Sequence, residues 1–305
     1  MKNKMTPSEI NIFLVGEGKN LSGIAICLGN SGHKVSLSEY PLSNSLLSKT
    51  MEAQNNISID PNYSSLPNAD LVIIHCPENK TLKRALLGEI SGLVSKNALV
   101  GINAESYTLT DLQEGFPNPE RLIGLNWVYP AHQTLFLEII TNEKTKAEPV
   151  REIMKLAKTY WDKDPYLLSK GKGIRSRLLT AMARESFHLI DKGYAEPIDI
   201  DRACRNDPGY YLPFSGNFRY MDLMGTYIYG LVMKDLNPEL SNDKTSSKLI
   251  DDKLKAGKLG MDKGEGFYSY SESEMLNREE DFLIFSKKIK ALMDKYPFKN
   301  PNEGS

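Results

Sequence analysis

The chain is poor in the features that mark several whole classes of protein. It holds only three cysteines, Cys27, Cys76 and Cys204, in 305 residues. An odd number without close spacing suits neither a disulfide framework nor a zinc site, so the expected setting is a reducing one, the cytoplasm. Long apolar runs are missing as well. The clearest, such as residues 71–74, fall far short of the ~18 residues that span a bilayer. Lys2 and Lys4 precede an apolar run at 10–15 that is too short for a signal segment, and no membrane is expected as a partner. Neither charge sign is in excess: 38 Lys and Arg stand against 39 Asp and Glu, a net charge of -1. That balance supplies no broad field for a polyanion and argues against nucleic acid as the main partner.

What is present describes a two-domain globular protein. The length is about twice the ~150 residues usual for one domain, and 40% hydrophobic with 25% charged residues excludes wholesale disorder. The first half alternates short apolar runs, read as strands at 10–15, 35–38, 69–74, 98–102, 122–125 and 136–140, with helical stretches at 21–30, 82–93, 110–114 and 149–161. Such alternation implies βαβ units. The expected fold class is α/β, a Rossmann-type, mostly parallel sheet followed by an all-helical C-terminal domain. After Leu168 no strong strand is visible. Residues 169–173 read as a solvated connector, and Leu178, Leu179, Met182, Phe187, Leu189 and Ile190 recur at helical spacing. Further helices are expected at 199–204, 218–233, 246–255 and 279–293, with a frayed polar tail at 300–305. The domains are therefore set at 1–168 and 169–305.

Gly16-Glu17-Gly18 falls between the first strand and the first helix. A dinucleotide needs glycine at both places, one for the tight turn and one for backbone approach to a pyrophosphate at the helix start. Glu39 ends the next strand 23 residues beyond Gly16, the place of a carboxylate that binds ribose hydroxyls and repels a 2′-phosphate. NAD is thus expected rather than NADP. The third glycine of G-x-G-x-x-G is replaced by Leu21, which must crowd the helix–strand contact or shift the helix.

Longer motifs carry a resemblance. Gly16 to Gly18 with Ser22-Gly23-Ile24-Ala25, the run Ala69-Asp70-Leu71-Val72-Ile73 leading to Pro77-Glu78-Asn79 and Lys83, residues 121–132 and Leu137-Glu138-Ile139-Ile140 resemble segments of the 3-hydroxyacyl-CoA dehydrogenase family. So do Asp199-Ile200-Asp201-Arg202-Ala203, Gly216 with Phe218, residues 221–225, and residues 257–268. The resemblance implies NAD as cofactor, with Glu78 and Lys83 on the nicotinamide side and Asn103 among the cofactor-binding residues. It also implies a small-molecule substrate and a helical domain that closes the active site and forms a homodimer. In the family a histidine takes the hydroxyl proton and a glutamate orients it.

Here the glutamate aligns with Glu138, but the histidine position is Asn126, which does not titrate. The family serine falls at Glu105 (a one-residue slip would give Ser106), an asparagine at Ser176, another at Tyr129, and a lysine at Asp262. Two readings stay open: an NAD-dependent oxidoreductase with an altered dyad, or a family member that binds a ligand without dehydrogenase chemistry. Residues 40–68 are short for a CoA-binding excursion and carry one basic residue, Lys49, which points to a compact polar substrate. His132 is either a substitute base or a loop residue bonded to backbone. His75 is expected as a core residue or cofactor neighbour, and His33 as a surface turn residue. Glu138 acts as base or holds Asn126. Glu105 faces the nicotinamide or solvent. Lys172 or Arg175 binds a substrate carboxylate or is a solvated hinge charge.

Overall fold

The computed structural model describes residues 6–40 and 56–297. Lys2, Lys4, Lys49 and the tail 300–305 lie outside the described residues. The first half forms an eight-stranded sheet in the order β3-β2-β1-β4-β5-β6-β7-β8. Its strands are β1 (Asn11–Gly16), β2 (Lys34–Glu39), β3 (Ile57–Ile59), β4 (Leu71–His75), β5 (Leu99–Ile102), β6 (Leu122–Asn126), β7 (Phe136–Ile140) and β8 (Asp164–Leu168). Every neighbouring pair is parallel except β6 and β7.

The apolar runs behave as strands buried on both faces. Ile12 and Leu14 of β1, and Leu71 and Ile73 of β4, pack on one side with α1 (Lys19–Asn30). Phe13, Val15, Val72 and Ile74 point to the other side and meet α2 (Lys80–Ser91) and α3 (Leu109–Gln113). The fourth helix, α4 (Ala147–Thr159), joins α1 on the first face through Val150, Ile153 and Leu156. Helices on both faces and a strand order that reverses between β1 and β4 define a doubly wound sheet, with its ligand crevice at the C-terminal ends of those two strands.

Two strands are not legible in the sequence. β3 is three residues long. β8 contains Pro165, which argues against a central strand, yet β8 is the last strand of the sheet and an edge tolerates proline. His33 also departs from expectation. It is wholly buried, and its Nε2 accepts a 2.7 Å hydrogen bond from Trp161 Nε1. A tryptophan can only donate, so the imidazole is held neutral.

The connector is packed rather than solvated. Gly171 N–H donates to Thr141 O at 2.8 Å, its carbonyl accepts from Leu109 N at 2.9 Å, and both Gly171 and Gly173 are buried. The expected boundary at residue 168 coincides with the end of β8, whereas the two compact units divide between Ser176 and Arg177.

The second unit is helical. It is built by α5 (Arg175–Asp191), whose first two residues belong to the first unit, with α6 (Pro197–Asn206), α7 (Pro208–Met224), α8 (Thr226–Leu236), α9 (Lys248–Lys255) and α10 (Glu272–Met293). The single helix expected over 218–233 is broken at Gly225, whose φ of 103° ends α7 and opens α8. A second interruption sits at Gly216, with φ 66°. The last helix starts earlier than periodicity suggests because Ser271 caps it, accepting from Glu274 N while Glu274 Oε2 accepts from Ser271 N. Among the described residues of this unit no large apolar side chain is buried; Phe218 is 79% exposed and Leu276 74%. No helix among the described residues is long and apolar enough to cross a membrane.

Burial holds the His33 pKa below its ordinary 6.5. The unfolded chain therefore binds the proton more readily, so this part of stability is present above pH ~6.5 and lost as the pH falls, by up to ~1.4 kcal/mol per pH unit. Urea melts at pH 7 and pH 5 should show a shallower loss for His33→Gln than for the wild-type chain. Equal slopes would refute the assignment.

Candidate active site

The glycine turn is fixed by the sheet. Gly16 pairs with Glu39 on one side and His75 on the other. Its φ is 144°, and a Cβ there would lie 1.7 Å from the His75 carbonyl oxygen, so only glycine fits. Gly18, at φ 88°, is the N-cap of α1 and has nothing within 4 Å of where a Cβ would stand. The helix start is thus uncovered by any side chain of its own cap. Leu21 does not disturb this arrangement; it is wholly buried in the core beneath α1. Close approach is achieved two residues later by Gly23, whose added Cβ would meet Ala131 N at 3.1 Å and His132 Nδ1 at 3.4 Å.

The residues present fit a dinucleotide. The α1 N-terminus offers its dipole to phosphates, Glu39 stands half-buried at the end of the adjacent strand, and Asn20 Oδ1, Ser22 Oγ and His75 Nδ1 are buried without a hydrogen-bond partner. Burial, with Lys83 adding to it, pushes the His75 pKa down to about 4, so the ring is neutral.

Beside the turn, Glu78, Lys83 and Asn103 form one network at the ends of β4 and β5. Lys83 is wholly buried; its Nζ lies 2.9 Å from Glu78 Oε1 and donates to Asn103 O at 2.7 Å. Asn103 Nδ2 donates to Glu78 Oε1 at 2.9 Å and to Cys76 O at 2.7 Å. Ser106 N–H donates to Glu78 Oε2 at 3.1 Å. A buried ammonium this fully satisfied is a fixed part of the scaffold.

The antiparallel pairing of β6 with β7 sets Asn126 directly opposite Glu138. Asn126 Nδ2 donates to Glu138 Oε2 at 2.7 Å. The same amide clamps Ala104 at both backbone atoms: Oδ1 accepts from Ala104 N at 2.7 Å and Nδ2 donates to Ala104 O at 3.3 Å. Glu138 is wholly buried. Its Oε1 accepts from Tyr166 Oη at 2.9 Å, Ile174 N at 3.0 Å and Arg175 N at 3.3 Å, so it also anchors the start of α5. Hydrogen bonding to Glu138 and burial drive the Tyr166 pKa far up, burial being the larger cause. Gly173 is required here, since a Cβ would come within 2.3 Å of Glu138 Oε2.

The residue after Ala104 is Glu105. Its Oε1 lies 3.1 Å from Arg175 Nη1, and its Oε2 accepts from Ser176 Oγ. The carboxyl keeps 18% of its surface exposed. Burial raises its pKa, Arg175 opposes this, and the Glu138 and Glu78 carboxylates add to the rise.

The structure thus brings together Glu105, Asn126, Glu138 and Ser176, and separately Glu78, Lys83 and Asn103. His132 stands apart. Its ring lies against Gly23 of α1, Nδ1 has no partner, and no hydrogen bond or ion pair joins it to Glu105, Asn126 or Glu138. Lys172 is exposed. Sequence reading missed Tyr166 and Gly173. Asp164-Pro165-Tyr166-Leu167-Leu168 carries no alternation that would single out Tyr166, and the demand for glycine at 173 depends on a partner 35 positions away.

Fold and site together define a nucleotide-binding doubly wound domain joined to a helical one. The model of the 3-hydroxyacyl-CoA dehydrogenase NAD-binding domain matches residues 41–170, and that of the 3-hydroxyacyl-CoA dehydrogenase C-terminal domain matches residues 174–270. The 5-formyl-3-hydroxy-2-methylpyridine 4-carboxylate 5-dehydrogenase of Mesorhizobium japonicum is 30% identical over 69% of this chain and 68% of its own. The 3-hydroxybutyryl-CoA dehydrogenase of Clostridioides difficile is 23% identical over 86% of this chain and all of its own, 100%. A crystal structure of a 5-formyl-3-hydroxy-2-methylpyridine 4-carboxylic acid 5-dehydrogenase, described as an NAD+ dependent dismutase, superposes with a TM-score of 0.84 at 24% identity, covering 97% of this chain and 100% of that one. The chain belongs to the 3-hydroxyacyl-CoA dehydrogenase family, a family of NAD-dependent oxidoreductases.

Removing the Glu138 carboxylate should take away the acceptor shared by four donors, the buried Asn126 amide and the part-buried Tyr166 hydroxyl, Ile174 N and Arg175 N. Glu138→Ala is expected to cost about 3 kcal/mol, and Tyr166→Phe, which removes one bond, about 1 kcal/mol. Urea unfolding midpoints measure both, and a neutral Glu138→Ala would contradict the anchoring role.

Proposed function

We propose that the protein is an NAD-dependent oxidoreductase that moves hydride between NAD and the hydroxyl or carbonyl of a compact, polar, 3-hydroxy-acid-like substrate. The observation that carries this reading is the open turn at Gly16 and Gly18, facing Glu39, on a sheet that also carries Glu105 just past β5 and Glu138 in the middle of β7. The α1 start holds the pyrophosphate, and Glu39 takes the adenosine ribose hydroxyls and disfavours a 2′-phosphate. Glu78, Lys83 and Asn103 fix the backbone beside the nicotinamide. When bound, NAD supplies the hydride acceptor. Glu138 and Asn126 hold the site in shape, Ser176 steadies Glu105, and Arg175 meets a substrate carboxylate. His132 serves the loop packed on α1. By its name, the Mesorhizobium relative acts on a small pyridine ring bearing a carboxylate, a formyl and a hydroxyl group, which supports a compact acid over an acyl-CoA.

The second unit supports a homodimer. A layer of helices in which every large apolar side chain among the described residues is at least partly in water needs a cover, and a second copy of the same unit supplies a matching face.

Titration calorimetry should show NAD+ binding more tightly than NADP+, and Glu39→Ala should weaken NAD+ about tenfold, or ~1.4 kcal/mol. Turnover is read as reduced-cofactor absorbance with 3-hydroxybutyrate, malate and hydroxymethylpyridine carboxylates. A chain that neither binds NAD+ nor turns over any of these would end the reading. Sedimentation should place the protein at twice the chain mass.

A further inference from the structure

We infer that Glu105 is the residue that takes and returns the substrate proton, and that Arg175 holds its carboxylate until a substrate carboxylate takes the guanidinium in its place. This rests on the oxidoreductase reading above. The surrounding groups leave few other candidates. Glu138 is wholly buried and accepts four hydrogen bonds. Asn126 carries no titrating proton. Glu78 is bound to the buried Lys83 and to two further donors. The Tyr166 hydroxyl is already donated to Glu138. His132 lies against α1, and His75 Nε2 sits 3.4 Å from Asn20 Nδ2. Of the groups just named, Glu105 combines a titrating group, a partly open surface and partners that can exchange, since Arg175 itself is 33% exposed.

The asparagine that stands where the family has its histidine acquires a different task. Its amide grips Ala104 N and O, and so fixes the backbone immediately before Glu105. Glu138, in turn, fixes Asn126. The chain of support that would orient an imidazole on β6 now orients a carboxylate just past the end of β5. Asn126 is on this account a positioning residue, and Glu105 the catalytic one.

As the substrate C–H hydride passes to NAD+, the hydroxyl proton passes to a Glu105 carboxylate oxygen. The products are the carbonyl compound, NADH and protonated Glu105, which then releases its proton to water. In the reverse direction protonated Glu105 donates to the forming hydroxyl. Burial and the neighbouring Glu78 and Glu138 carboxylates favour the protonated form, while Arg175 opposes it. A substrate carboxylate that occupies Arg175 removes this opposition, so the base strengthens when its substrate arrives.

Two measurements test this. In the protein without ligand, carboxyl carbon resonances of glutamate-labelled chain should show one group titrating above the ordinary 4.5. It should vanish in Glu105→Gln and move further up in Arg175→Gln. With the best hydroxy acid of the panel, Glu105→Gln should lower kcat at least about a hundredfold, keep its NAD+ affinity and lose the acidic limb of the kcat pH profile. Glu105→Asp should restore part of both rate and limb. A wild-type enzyme that turns over while Glu105→Gln keeps its rate and profile overturns the inference and leaves the function standing. So does a Glu105→Gln chain that loses NAD+ affinity together with rate. A wild-type chain without NAD+ binding or turnover overturns the function, and the inference with it.

Discussion

One buried carboxylate holds the first unit's functional end together. Glu138 receives hydrogen from β6 through Asn126, from β8 through Tyr166, and from the backbone where α5 begins. A lone ionised carboxyl in a protein interior is costly, and only a full set of donors makes it tolerable. The requirement propagates outward. Asn126 must present an amide, which then clamps Ala104; Gly173 must lack a side chain; and the connector after β8 must fold back onto the sheet rather than leave it.

The sheet and its cofactor turn were largely legible in the sequence, because their physics is local. Continuous apolar runs between glycine punctuation specify strands buried on both faces, and the spacing from Gly16 to Glu39 follows from one βαβ unit. The meaning of Leu21 was not legible. A replaced third glycine suggested a crowded helix, whereas the close approach had moved to Gly23, where the neighbouring atoms come from Ala131 and His132, more than a hundred positions away. His33 was misread for the same reason: its burial comes from Trp161, on the far side of the domain in sequence.

In the site, residue identities were legible and their groupings were not. Glu105, Asn126 and Glu138 stand out as departures or retentions of family positions, but only the fold shows that Asn126 reaches both β7 and the loop after β5, and that Arg175 pairs with Glu105. The helical half was legible as helices and not as an arrangement, since Gly216 and Gly225 break segments that periodicity joins.

The unburied apolar surface of the second unit makes the two halves of the chain unequal in autonomy. The sheet carries its own core on both faces. The helices, whose described large apolar side chains all stay at least partly in water, have far less hydrophobic burial to hold them. Local opening is therefore drawn from the helices before it reaches the sheet and its glycine turn.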